Sequence, residues 1–112
     1  NAEGGRLLSA KAFSTNTVLC SNDRLAIGML SAAYGLGLRV GHGAGCDIRI
    51  AGHDDHPFSR FTCPSLTTIA QDYEAIAQHA VSTLFGLLET DDRPDARTET
   101  TFEGRLIMRD SA

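Results

Sequence analysis

The sequence predicts an α/β domain built on an open, mainly parallel sheet flanked by helices. Three observations point there. Short apolar, β-branched segments alternate with longer segments of helical period. Each strand segment stops at a cluster of residues that turn the chain or cap a helix. The length, 112 residues, is enough for one modest hydrophobic core and no more.

Taken in order, residues 3–12 (EGGRLLSAKA) are expected to form a short N-terminal helix around Leu7 and Leu8, weakened by Gly4 and Gly5. Asn1 and Ala2 read as a remnant of expression and are set aside. Residues 16–20 (NTVLC) read as the first strand, stopping at Ser21-Asn22-Asp23. Ser21 or Asn22 suits the N-cap of a following helix, and Asp23 suits its positive end. That helix is expected to run to about Leu36, with Gly37 placed to end it. Its segment LAIGMLSAAYGL (25–36) has only Ser31 and the Tyr34 hydroxyl as polar groups, so it should be covered on two sides. Gly28, Ala32 and Gly35 share a stripe that would let another helix approach closely. Beyond the GHGAG loop (41–45), Cys46, Ile48 and Ile50 alternate with Asp47 and Arg49 as a second strand, which ends in Gly52-His53-Asp54-Asp55. Pro57 opens a helical turn through Phe61, and Pro64 closes it. Leu66–Ala70 reads as a third strand. From Asp72 to Glu89 the period is helical, with Tyr73, Ile76, Ala77, Ala80, Leu84, Leu87 and Leu88 on one face. Residues 89–95 form an acidic loop. A last strand is expected at Arg105–Arg109.

Composition narrows the function. Hydrophobic residues make up 42% and charged residues 21%, a globular balance with no low-complexity tract. No apolar stretch approaches the ~18 residues that span a bilayer. Ten basic against fourteen acidic residues give a net charge of −4, and no two basic residues are adjacent. This chain is therefore a poor nucleic-acid binder by itself. Cys20, Cys46 and Cys63 are odd in number and widely spaced, matching neither a disulfide framework nor a CxxC metal site. They read as small buried hydrophobes in a reducing compartment, hence a cytoplasmic protein.

Two polar clusters follow strands: Ser21-Asn22-Asp23 and His53-Asp54-Asp55-His56. A third, Gln71-Asp72-Tyr73, follows the third strand. Ligands of open parallel sheets bind beyond the carboxyl ends of the strands. Asn, Asp and Gln supply acceptors and paired donors suited to vicinal hydroxyls, and a ring can stack on a sugar face. The same residues also serve as caps and turn formers, and composition alone does not separate the two roles. His53-Asp54-Asp55-His56 is a poor metal site, because adjacent residues of an extended segment point apart. The glycines at 41, 43 and 45 precede a strand, whereas a phosphate loop follows one. No nucleophile stands in a G-x-S-x-G context and no acid/base pair is legible, so no enzyme and no cofactor is expected.

Residues 18–30 (VLCSNDRLAIGML), 37–40 (GLRV), 47–55 (DIRIAGHDD), 64–72 (PSLTTIAQD) and 104–112 (GRLIMRDSA) together resemble, in order and spacing, the C-terminal part of LacI/GalR-type transcription regulators. The resemblance implies a Rossmann-like subdomain, here spanning 15–112, of a periplasmic-binding-protein-like core that holds a sugar-like effector in a cleft. It implies a homodimer or higher oligomer, and operator DNA bound only through a separate N-terminal helix-turn-helix domain. By motif, Asn22, Asp54, Gln71 and Tyr73 would contact the effector. Asp23, His53 and Asp55 would support them, Asp23 and Asp55 by capping and orienting. Leu25, Ile27, Gly28, Leu30, Ser31 and Phe61 would lie at the dimer interface. Helix 73–88 would belong with the partner subdomain. His53 stands where such regulators usually carry an aromatic residue, and the GHGAG loop is longer than usual. The alternative is half of a periplasmic sugar-binding transport protein. The LTT strand, the RDS ending and the nearly all-apolar helix favour the regulator.

Overall fold

The computed structural model describes residues 15–90 and 97–112. The helix expected at 3–12 and residues 91–95 of the expected acidic loop lie outside the described residues. The chain forms two compact units, one of residues up to 70 together with 105–112, the other of residues 71–104.

The first unit contains strand β1 (Thr17–Leu19), helix α1 (Asp23–Gly35), strand β2 (Arg49–Ala51), a 3-10 turn at Ser59–Phe61, and strands β3 (Thr68–Ala70) and β4 (Arg105–Ile107). β1 and β2 pair in parallel, with Leu19 opposite Ala51. A parallel bridge between Ala51 and Thr67 brings in the entry to β3. β4 closes the edge antiparallel to β3, with Thr68 opposite Ile107. The arrangement is the expected α/β one, mainly parallel with a single reversed edge.

Helix α1 starts and stops for local reasons. The Asn22 side-chain oxygen accepts from the Leu25 amide at 2.9 Å, which makes Asn22 the N-cap. At the other end Gly37 takes φ +71°, the left-handed conformation glycine adopts at no steric cost. Leu38 N then donates to Ala33 O and Gly37 N to Tyr34 O, which closes the last turn.

Ala26, Met29, Leu30 and Ala33 form the i, i+3, i+4, i+7 stripe that α1 buries, and they pack with Cys20, Ile48, Ile50 and Leu66. Ile50 and Leu66 are fully buried, each contributing on the order of 1.5–3 kcal/mol of transfer free energy. The predicted alternation holds: Ile48 and Ile50 face the core, while Asp47 and Arg49 face solvent. Among the described residues the sheet covers one side of α1. Its other side shows Leu25 and Tyr34 to solvent.

Polar groups tie the last residues to the sheet. The buried Ser111 hydroxyl donates to the Ile50 carbonyl and accepts from the Thr67 amide. The Thr67 hydroxyl in turn accepts from Arg109 N.

The second unit carries helix α2 (Tyr73–Glu89), capped by Asp72, whose carboxylate accepts from Ala75 N at 3.0 Å. None of its residues is buried, and Val81, Leu84, Phe85 and Leu88 are all more than half exposed. His79, expected to face solvent, is exposed and meets the Thr100 hydroxyl and the edge of Phe102.

Three expectations need correction. Only Cys20 of the three cysteines is buried, because Cys46 and Cys63 fall in connecting segments outside the core. Leu30 lies in the core and not on an interface surface, because it sits on the same stripe as Ala26 and Ala33. Asp23 is not a cap. Asn22 performs that role, and the Asp23 carboxylate turns inward instead. Among the described residues no helix is long and apolar enough to cross a membrane.

Candidate functional site

The parallel register settles which residues share an edge of the first unit. Leu19 lies opposite Ala51, and Asn22 and Asp54 each stand three residues further on. The pairing continues past the strands: Cys20 N donates to Ala51 O, and Asp23 N to His53 O. On the other flank Gly52 N donates to Thr67 O and Asp54 N to Ile69 O. Asn22 and Asp54 therefore leave the sheet at the carboxyl ends of adjacent parallel strands, the side on which open α/β sheets bind ligands.

A buried carboxylate holds this edge together. Asp23 is only 1% exposed. Its Oδ2 accepts from His56 N at 2.8 Å and from the Ser59 hydroxyl at 2.5 Å, and its Oδ1 accepts from the Thr68 hydroxyl at 2.6 Å. One side chain thus joins the start of α1, the loop after β2 and strand β3. Gly52 has to be glycine here, because a Cβ at that position would overlap the Asp23 carboxylate. Burial, and the neighbouring Asp23 charge after it, pushes the Cys20 thiol above its ordinary value of 9.0.

The loop after β2 has an uncommon backbone. Asp54 and Asp55 take φ of +115° and +51°, two successive non-glycine residues on the left-handed side. Such conformations cost of order 1–3 kcal/mol each and persist where the surroundings hold them. Here the hold is visible. Asp54 N donates to the Ile69 carbonyl, Asp55 N donates to the Thr68 hydroxyl at 3.3 Å, and the Asp55 carboxylate pairs with Arg109 at 2.7 Å. His53 Nδ1 lies 3.1 Å from Asp54 Oδ1. The Asp54 side chain remains 40% exposed at the edge. It can accept from ligand hydroxyls there, with the half-buried Asn22 amide beside the same strand ends.

Gln71 and Tyr73 belong to the second unit. Gln71 directly follows Ala70 of β3, is half-buried, and accepts from Tyr73 N through its carbonyl at 3.0 Å. Tyr73 opens α2 and is 53% exposed. Ser59, Thr68 and Arg109 do not stand out in the sequence as parts of this edge. Their signal is faint: a hydroxyl inside an apolar strand, and a lone arginine after Leu106-Ile107-Met108. Among the described residues no three of His, Cys, Asp and Glu come together as a metal site.

The sequence pattern of periplasmic binding protein-like domains matches residues 3–112. The chain belongs to that family. Within it, the chain is 35% identical over 111 residues to the HTH-type transcriptional regulator MalR of Streptomyces coelicolor, covering 97% of this chain and 30% of that protein. Among solved structures it resembles the Lac repressor bound to ONPG in the repressed state, with a TM-score of 0.80 and 28% identity over 99% of this chain and 31% of the other. It also resembles a LacI family regulator from Lactobacillus casei with bound sucrose, with a TM-score of 0.74 and 29% identity over 99% of this chain and 38% of the other. The chain thus spans about a third of the length of these relatives. As a periplasmic binding protein-like domain with LacI-type relatives, it carries the fold expected of an effector-binding core. Regulators, not enzymes or transport proteins, are what these relatives are.

Proposed function

We propose that this chain is the effector-sensing, C-terminal part of the core of a cytoplasmic LacI-type transcription regulator. It would bind a small, carbohydrate-like molecule through Asn22 and Asp54 of the first unit, while Gln71 and Tyr73 are effector contacts that the family resemblance implies for the second. The observation that carries this reading is the common sheet edge of Asn22 and Asp54, with Asp54 set on a left-handed turn. A carboxylate and a primary amide side by side accept from and donate to vicinal hydroxyls, as a neutral sugar requires. His53 supports Asp54, and Asp23 and Asp55 support the loop that carries both. Tyr73 supplies an aromatic face suited to a sugar ring. Helix α2 would pack on the partner subdomain of the core. Leu25, Ile27, Gly28 and Ser31 of α1, with Phe61, would form the homodimer face. A separate N-terminal domain would read operator DNA, in keeping with the −4 charge of this chain.

The test is calorimetric titration of the full-length protein carrying this chain with a panel of neutral mono- and disaccharides, sucrose among them. At least one sugar is expected to bind, and Asp54→Ala should weaken it by about 10–100-fold, as loss of one charge-assisted hydrogen bond implies. Operator binding by the same variant should persist but no longer respond to the sugar. Unchanged sugar affinity in Asp54→Ala, or no binding by any of the panel, would refute the assignment.

A further inference from the structure

We propose that Arg109 is a positioning residue for effector recognition, acting through Asp55 on Asp54; this rests on the sensing role proposed for Asp54. Arg109 follows β4, far along the chain from the loop that ends β2. Its guanidinium is nevertheless divided between two anchors. Nη2 pairs with Asp55 Oδ1 at 2.7 Å, and Nη1 donates to the Leu66 carbonyl at 2.9 Å. Both partners of the ion pair are largely withdrawn from solvent, with side chains 14% and 21% exposed. The Arg109 amide is fixed as well, donating to the Thr67 hydroxyl at 2.9 Å. The arginine is thus bolted to the entry of β3 and reaches across to the loop.

The loop needs such a hold. Asp54 and Asp55 both have positive φ, and neither is glycine, so neither backbone conformation is the one the residue adopts unaided. Asp54 is pinned before and after its side chain. Its amide donates to Ile69 O, and the next residue is held by Arg109 and by the Thr68 hydroxyl. Thr68 is itself committed to Asp23. Releasing Arg109 removes the ion pair that holds Asp55 and lets the 54–55 turn relax toward ordinary φ, which swings the Asp54 carboxylate away from the edge it shares with Asn22. A lysine keeps the charge but not the planar fork that serves Asp55 and Leu66 together.

Two measurements on the full-length protein decide it. In the absence of any sugar, Arg109→Met is expected to speed amide hydrogen exchange at Asp54 and Asp55 about tenfold, with Ala26 and Ile50 unchanged. In titrations with a sugar that the wild type binds, Arg109→Met should raise Kd about tenfold, and Arg109→Lys about threefold. In an Asp54→Asn background, which retains one acceptor and so measurable binding, Arg109→Met should add less than twofold, because its effect passes through Asp54. An equal loss of affinity in both backgrounds, or unchanged exchange at 54–55, would overturn the proposal. If Arg109→Met does not fold, Asp55→Asn replaces it, with the same non-additivity expected at smaller size. A wild type that binds no sugar refutes the sensing role itself. Binding with additive effects refutes only the role of Arg109.

Discussion

Replacing Asp23 by alanine should be among the most damaging single changes in this chain. The carboxylate is fully enclosed and accepts hydrogen bonds from His56 N, the Ser59 hydroxyl and the Thr68 hydroxyl. Bonds to a charged acceptor contribute roughly 1.5–3 kcal/mol each, and a buried donor left without a partner costs about 1–3 kcal/mol. Taking the low end for each of the three donors gives about 4–5 kcal/mol for Asp23→Ala. That is a large part of the 5–15 kcal/mol typical of a whole domain. Asp23→Asn keeps the shape and one acceptor, and Thr68 can rotate to accept from the new amide, so its cost should be about 1.5–2 kcal/mol. Urea unfolding of the protein followed by circular dichroism measures both. With a slope of roughly 1–3 kcal/mol per molar, the alanine variant should lose about 2 M in midpoint. An alanine variant less than about 1 kcal/mol destabilised, or an asparagine variant as damaged as the alanine one, would refute the reading of Asp23 as the junction of α1, the loop and β3.

Gly52→Ala should destabilise by about 2 kcal/mol or more by displacing the Asp23 carboxylate, and markedly less in an Asp23→Ala background; additive losses in the same unfolding assay would contradict the overlap. The raised pKa of Cys20 means that the unfolded thiol ionises first. Its share of the stability is therefore intact below pH 9.0 and lost as the pH rises from there through the higher folded value, a decline that Cys20→Ala should abolish when stability is compared at pH 8 and 10. The exposed Cys63 should react with a thiol reagent in the native state well before the buried Cys20, as mass spectrometry of the labelled peptides would show. The 112 residues on their own should self-associate through the exposed apolar residues of α2, among them Val81, Leu84, Phe85 and Leu88; a monodisperse monomer by light scattering at tens of micromolar would count against this.

Much of the fold was legible because it rests on local chemistry. Asn22 caps its helix, Gly37 ends it in the left-handed conformation, and Ile48 and Ile50 alternate with charged neighbours; each pattern needs only residues close in sequence. The 73–89 helix follows from its period and from Asp72 before it. The placement of Asn22 and Asp54 after successive strands was visible too, since both clusters stop a strand.

What only the tertiary structure decided is the direction in which polar side chains spend their hydrogen bonds. Asp23 reads locally as a helix-end carboxylate, yet its partners are Ser59 and Thr68, 36 and 45 residues away. Leu30 is expected at the dimer interface by resemblance, but the sheet claims it for the core. The left-handed pair Asp54-Asp55 leaves only a weak sequence signal, because aspartate visits positive φ more readily than most residues but two in succession need partners from elsewhere in the chain to hold them. Arg109, 54 residues beyond Asp55, is part of that hold. Periodicity and capping are short-range and leave a mark on the sequence, whereas the satisfaction of a buried charge depends on which strands the sheet sets side by side.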